Sequence, residues 1–161
     1  MQRGYLRNFI FGAEDSLVST VGLLSGVSFA GLATREIILS GVILILVESI
    51  SMGAGVYLSE DSANELPQPG EHDNTIADAA IMSISYLLIG LIPLLPYIFS
   101  TDARAGFYWS VGFSLISLFF LGLFKGYIIG RHLLFSALKI FVVGALVVAI
   151  AVAVGLFVRT V

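Results

Sequence analysis

The sequence predicts an all-α, polytopic membrane protein with five transmembrane helices, and three observations carry that prediction. Hydrophobic residues make up 58% of the 161-residue chain and charged residues only 12%, whereas about a quarter of a soluble domain is charged. Mean hydropathy is +1.00. The apolar runs approach the length of about 20 residues that crosses a bilayer as a helix, too long for the strands of about 10 residues in a membrane barrel. Backbone groups in lipid must be bonded internally, so the runs are read as helices. The chain has no cysteine, which excludes disulfides, thiolate metal sites and iron–sulfur ligation. Its net charge of −3 is concentrated in one loop, and no basic cluster suggests nucleic acid as a partner. Residues 1–13 lack the short apolar core and small-residue cleavage site of a signal peptide, so the whole chain, 1–161, is read as one membrane domain.

Residues 1–14, with Arg3, Arg7 and several aromatics, read either as an amphipathic lead-in lying at the interface or as a plain flanking segment. The first span, 15–33, is weakly apolar, with serine, threonine and glycine interleaved among Leu, Val and Phe. Asp15, Ser19, Gly22 and Gly26 fall at helical spacing, giving a stripe that begins with a carboxylate and continues with residues that permit close helix approach. Asp15 is also a candidate N-cap. A very short turn at Arg35 makes the second span, 37–58, an antiparallel neighbour. Gly41, Leu44, Glu48, Met52, Gly55 and Ser59 are placed on one face of it, with Ile38, Val42, Ile45 and Ile50 toward lipid.

The loop 59–78 carries Glu60, Asp61, Glu65, Glu71, Asp73, Asp78 and His72 with no Lys or Arg, and Leu66-Pro67-Gln68-Pro69-Gly70 interrupts any helix there. It reads as a solvated linker or as a vestibule that raises the local concentration of divalent cations. Pro93 and Pro96 are expected to kink or end the third span, 79–99. The fourth span, 105–129, has Ser110, Ser114 and Ser117 on one face and Gly122, Gly126 and Gly130 at packing spacing. The fifth, 133–158, reads as scaffold. Five spans put the termini on opposite sides, and the balance of basic residues leans toward a cytoplasmic N-terminus.

The residues that invite chemistry are Glu48 and Met52. A charge at mid-bilayer costs about 2.5–3.5 kcal/mol on the lenient insertion scale, so Glu48 is read as functional, with a structural hydrogen-bonded acid as the alternative. Met52 lies one helical turn on and brings a thioether to the same face. Oxygen and sulfur together favour borderline transition metals over Mg²⁺ and Ca²⁺, which take oxygen only. A carboxylic acid in the bilayer interior favours its neutral form, and a divalent ion needs the ionised ligand, so metal arriving at Glu48 expels a proton. Asp15 is placed nearer the entrance. A symmetric pair of chains would double these ligands.

Two stretches resemble the vacuolar iron transporter family. Arg7-Asn8-Phe9-Ile10-Phe11-Gly12-Ala13-Glu14-Asp15-Ser16-Leu17-Val18-Ser19-Thr20 is similar to its first-helix pattern G-x-x-D-G-L/I-V-S-T. Ser51-Met52-Gly53-Ala54-Gly55-Val56-Tyr57-Leu58-Ser59 is similar to its second-helix pattern S-M-A/G-A-G-E-Y-L/V-S. The likeness continues through Gly90 to Tyr97 and Arg131 to Gly144. It implies a five-helix protomer, a homodimer with the ion path near its axis, and export of Fe²⁺ or Mn²⁺ from the cytosol against protons, with no resident cofactor. Asp15 and Met52 take the positions of the family's aspartate and methionine, and Glu48 supplements them. Glu14 and Glu60 are further candidate ligands. The chain departs from the family at Ser16, which replaces a glycine, and at Val56, which replaces a glutamate that Glu60 can stand in for one turn later. It also lacks the glutamate-rich domain that eukaryotic members insert between spans two and three.

The sequence therefore predicts a divalent iron or manganese transporter, resident in a prokaryotic plasma membrane. The alternatives are a non-transporting membrane scaffold and a transporter of another cation. An enzyme is not expected, because no nucleophile–base pair or histidine cluster lies within a span.

Overall fold

The computed structural model of the chain describes residues 3–65, 74–130 and 132–161. They form five helices, α1 (Arg3–Phe29), α2 (Thr34–Asn64), α3 (Thr75–Phe99), α4 (Ala103–Ile129) and α5 (Leu133–Thr160). Each is long and apolar enough to cross a membrane, and the protein is a multi-pass membrane protein. The helices α2, α3, α4 and α5 form an arc in chain order around α1, which packs against all four. Among the described residues the two ends of the arc, α2 and α5, have no extensive contact with each other. One side of α1 is consequently left open between them.

The least apolar helix is the most enclosed. Of α1's apolar window 56% is buried, against 22% for α5, the most apolar. In lipid the outside is as greasy as the inside, so burial goes to the helix whose small residues allow close approach; Ser16 and Ser19 find partners there, while the buried Thr20 and Ser25 hydroxyls have none among the described residues. Leu24 packs with Ile37, Ile45, Leu94 and Tyr97 between α1, α2 and α3. Leu17 packs with Leu118 and Ile140 between α1, α4 and α5. Gly122 lets α4 and α5 meet backbone to backbone: a Cβ there would lie 2.5 Å from the Ala137 Cα. Gly130 ends α4 in the left-handed region, φ 69°, a conformation that favours glycine.

The helices depart from the expected spans mainly at their ends. Residues 3–14 are not a separate lead-in but the first turns of α1, and Asp15 is a mid-helix residue rather than an N-cap. Their continuation is held by tertiary contacts. Asn8 is buried and donates to the Asp78 carboxylate on α3 at 2.5 Å, while Arg7 pairs with Glu60 at 2.5 Å. Asp78 is thus a buried group in the first turn of α3 rather than part of a solvated loop. The helix begins with Asn74, whose side chain accepts from the Ala77 N–H at 3.2 Å. At the other side of the connection α2 runs on to Asn64 and carries Glu60 and Asp61. The rest of the expected acidic loop, Leu66 to Gly70 with Glu71, His72 and Asp73, lies outside the described residues, as does Arg131.

Pro93 and Pro96 do not end α3. The Pro93 carbonyl instead accepts the Ser110 hydroxyl of α4 at 2.7 Å, within the bundle. On α2 the packed face is Ile37, Gly41, Ile45, Ser49 and Gly53. Ile45, expected toward lipid, is therefore in the core, and Gly55, expected on the packed face, has nothing within 4 Å of where its Cβ would stand.

Candidate metal-translocation site

Asp15 and Glu48 lie close to the midpoints of α1 and α2, which puts both carboxylates near the middle of the span. Beside the packed face of α2 runs a half-buried stripe at four-residue spacing, Leu44, Glu48, Met52, Val56 and Glu60. Glu48 is close enough to Asp15 for the two charges to interact, and its charge also reaches the Tyr86 hydroxyl. Met52 follows one turn along the stripe. Neither Asp15 nor Glu48 has an ion-pair partner among the described residues, where the ion pairs are Arg7–Glu60 and Lys125–Glu14.

A short hydroxyl network joins α1 to α3 beside Asp15. The Ser19 hydroxyl donates to the Asp15 carbonyl at 2.7 Å and lies 2.7 Å from the Tyr86 hydroxyl. One turn earlier Ser16 donates to the Tyr86 carbonyl at 2.6 Å. Ser16, the position where the resembling family has glycine, thereby fastens α1 to α3. A side chain on Gly90 would displace that hydroxyl, since its Cβ would stand 2.6 Å from the Ser16 oxygen. Tyr86 is fully buried and was not anticipated as part of the site. The signal for it was a phenol in the middle of an apolar span, which must find a polar partner.

The two further candidates are placed differently. Lys125 of α4 donates to the Glu14 carboxylate at 3.2 Å, so Glu14 turns toward α4. Glu60 is held by Arg7 at the end of the stripe. Both acids already have a cation, and neither is brought together with Glu48 and Met52. Val56 occupies the stripe between Met52 and Glu60.

Above Asp15 the open side of α1 forms a groove with α5 of about 690 Å³, whose walls include Ser19, Gly22, Gly26, Val147, Ala151 and Gly155. The stripe of small residues expected from the sequence therefore faces an open groove. Gly26 and Gly155 bring the two backbones together there: a Cβ on Gly26 would stand 3.3 Å from the Ala151 carbonyl oxygen. Among the described residues no three His, Cys, Asp or Glu side chains gather closely enough to hold a metal ion. Asp15, Glu48 and, one turn further along α2, Met52 are therefore no complete metal shell within one chain.

Known proteins share this pattern over most of the chain. The sequence model of the VIT family matches residues 6–69 and 64–156, dividing at the connection between α2 and α3. A vacuolar iron transporter of Centaurea cyanus is 27% identical across 91% of this chain and 84% of its own length. Vacuolar iron transporter 1 of Oryza sativa subsp. japonica is 25% identical, across 96% of this chain and 86% of its own. A third relative, vacuolar iron transporter 1 of Arabidopsis thaliana, is 24% identical across 91% and 83%. The Centaurea alignment runs over 207 positions against the 161 residues here, so that relative carries residues this chain lacks. With the family's match extending over nearly all of α1 to α5, the chain belongs to the VIT family.

Proposed function

We propose that this protein carries divalent iron, and manganese as a second substrate, out of the cytosol in exchange for protons, along a path that includes Asp15, Glu48 and Met52. The observation that carries the reading is the pair Asp15 and Glu48, two acids with no base among the described residues, near the midpoints of neighbouring helices and close enough for their charges to interact. Relatives named as iron transporters supply the substrate class, and Met52 favours Fe²⁺ or Mn²⁺ over Mg²⁺ and Ca²⁺. Binding requires both carboxylates ionised, so loading the site releases whatever protons they hold, and protons arriving from the far side unload it. Exchange follows from that competition. Glu14 and Glu60, held by Lys125 and Arg7, act at the approach to the path and not as ligands at its centre.

A homodimer completes the shell. A second copy set against the open side of α1 would bring another Asp15, Glu48 and Met52 to the same axis and cover the groove between α1 and α5. The N-terminus and the α2–α3 connection face the cytosol in this arrangement, with a prokaryotic plasma membrane as the site of action. The assignment is transport, and no chemical reaction is ascribed to the chain. Purified protein in liposomes, with Fe²⁺, Mn²⁺ or Ca²⁺ outside and an imposed pH gradient, tests it. Fe²⁺ and Mn²⁺ should enter while protons leave, with Ca²⁺ excluded. Metal flux that is indifferent to the pH gradient would remove the exchange mechanism.

A further inference from the structure

At the end of the bundle remote from Glu60, two arginines from different helices line one small cavity. Arg104 stands in the first turn of α4 and Arg159 in the last turn of α5, and together with Ser28, Phe107, Tyr108 and Leu156 they border a space of about 220 Å³. No acid lines it. Among the described residues neither arginine is within ion-pair distance of a carboxylate. The nearest acids along the chain are occupied or turned outward. Glu36 accepts from the Ala33 N–H at 2.9 Å, and Asp102 is exposed and makes no cap to α4. The exposed Arg159 side chain passes beside Gly31, where φ is 94°.

The cavity sits at headgroup depth. Phe99, Tyr108 and Trp109 are all largely exposed at this end, the arrangement of an aromatic belt at a membrane interface. Two guanidinium groups present planar forks of N–H donors that match phosphate oxygens, while the Phe107 ring and Leu156 give an apolar wall continuous with the lipid-facing surface. The contrast with the opposite end is informative. There Lys125 borders two larger cavities, one with Arg7 and one with Lys139, but Glu14 lines both and pairs with Lys125, and Arg7 pairs with Glu60. The Arg104–Arg159 cavity, in contrast, concentrates two cations with no acid among its lining residues.

We propose that the cavity between Arg104 and Arg159 binds an anionic phosphate group, either the headgroup of an anionic phospholipid in that leaflet or free phosphate. The site is separate from the metal path and does not depend on the transport assignment. The test is thermal stability of the purified protein in detergent, titrated with phosphatidylglycerol, phosphatidylcholine or inorganic phosphate. Phosphatidylglycerol should raise the melting temperature and phosphatidylcholine should not. Arg104→Gln and Arg159→Gln should each weaken the apparent affinity for phosphatidylglycerol about tenfold, as expected for loss of one charge-assisted contact. Lys125→Gln should leave that affinity unchanged. A response to inorganic phosphate that depends on the same two arginines identifies the free anion as the source, and a response to phosphatidylglycerol alone identifies the lipid. Wild-type protein that answers phosphatidylglycerol and phosphatidylcholine equally, and inorganic phosphate not at all, overturns the proposal without any variant. So does an undiminished response in the two glutamine variants. If those variants fail to fold, Arg104→Lys serves, because it keeps the charge and loses the fork and should bind more weakly while melting as the wild type does.

Discussion

Glu48→Gln separates a translocation ligand from a structural acid, because the structure gives the two roles opposite signatures. Glu48 is half-buried and makes no hydrogen bond or ion pair among the described residues, so replacing its carboxylate by an amide of the same shape disturbs no partner. Stability should change by less than about 0.5 kcal/mol, the range of substitutions that touch no special feature. Transport should fall steeply. Removing a group that only orients a metal ligand costs about 10- to 100-fold in affinity or activity. Losing a ligand itself, in a shell where one chain contributes two carboxylates and a thioether, should reach at least the upper end, about 2.8 kcal/mol. The assay is the initial rate of Fe²⁺ uptake into liposomes as a function of Fe²⁺ concentration, with melting temperature measured on the same preparations. Unchanged uptake would refute the site assignment. A melting temperature lowered by the equivalent of about 1–3 kcal/mol with uptake intact would make Glu48 a hydrogen-bonded structural acid and favour a scaffold.

Val56→Glu adds a carboxylate to the half-buried stripe between Met52 and Glu60 and should raise apparent Fe²⁺ affinity about tenfold, near 1.4 kcal/mol; an unaltered concentration dependence would show that ions do not pass along that stripe. Asn8→Leu leaves the buried Asp78 carboxylate without its donor and should cost about 1.5–3 kcal/mol in thermal unfolding. The double change Asn8→Leu with Asp78→Leu should recover much of that, and additivity of the two losses would mean that the pair is not coupled. Gly122→Ala forces a methyl against the Ala137 backbone and should destabilise by about 1–3 kcal/mol. Gly112→Ala meets nothing within 4 Å and should be neutral or slightly stabilising; equal melting of the two variants would contradict the close α4–α5 contact.

The five helices were legible because an apolar run of span length has few other uses. Their ends were not. Residues 3–14 join α1 because Asn8 and Arg7 find Asp78 and Glu60, partners more than fifty positions away that no local pattern reveals. Ile45 was placed toward lipid because hydropathy does not distinguish a lipid-facing isoleucine from one packed on Leu24 and Leu94; in a bilayer both environments are apolar. Small and polar spacing was the more dependable guide. Of the stripe through Asp15, Ser19, Gly22 and Gly26, the last three line the open groove beside α1, and Glu48 is near enough for its charge to act on Asp15. Tyr86 escaped notice since a lone phenol on α3 acquires meaning only when Ser19 is placed opposite it.

The distribution of bases and amides sorts five of the carboxylates on α1, α2 and α3 into two kinds. Glu14 has Lys125 and Glu60 has Arg7; Asp78 has the Asn8 amide. Each is satisfied within the chain, and each joins two helices, which is reason enough for it to be there. Asp15 and Glu48 receive no base from the described residues although they stand near the midpoints of their helices and their charges interact. Two neighbouring acids at that depth are costly unless a proton or a cation is shared between them. Among the described residues a thioether follows one turn away but no base, and the exchange proposed above would use that gap by letting protons or a metal ion supply the missing charge.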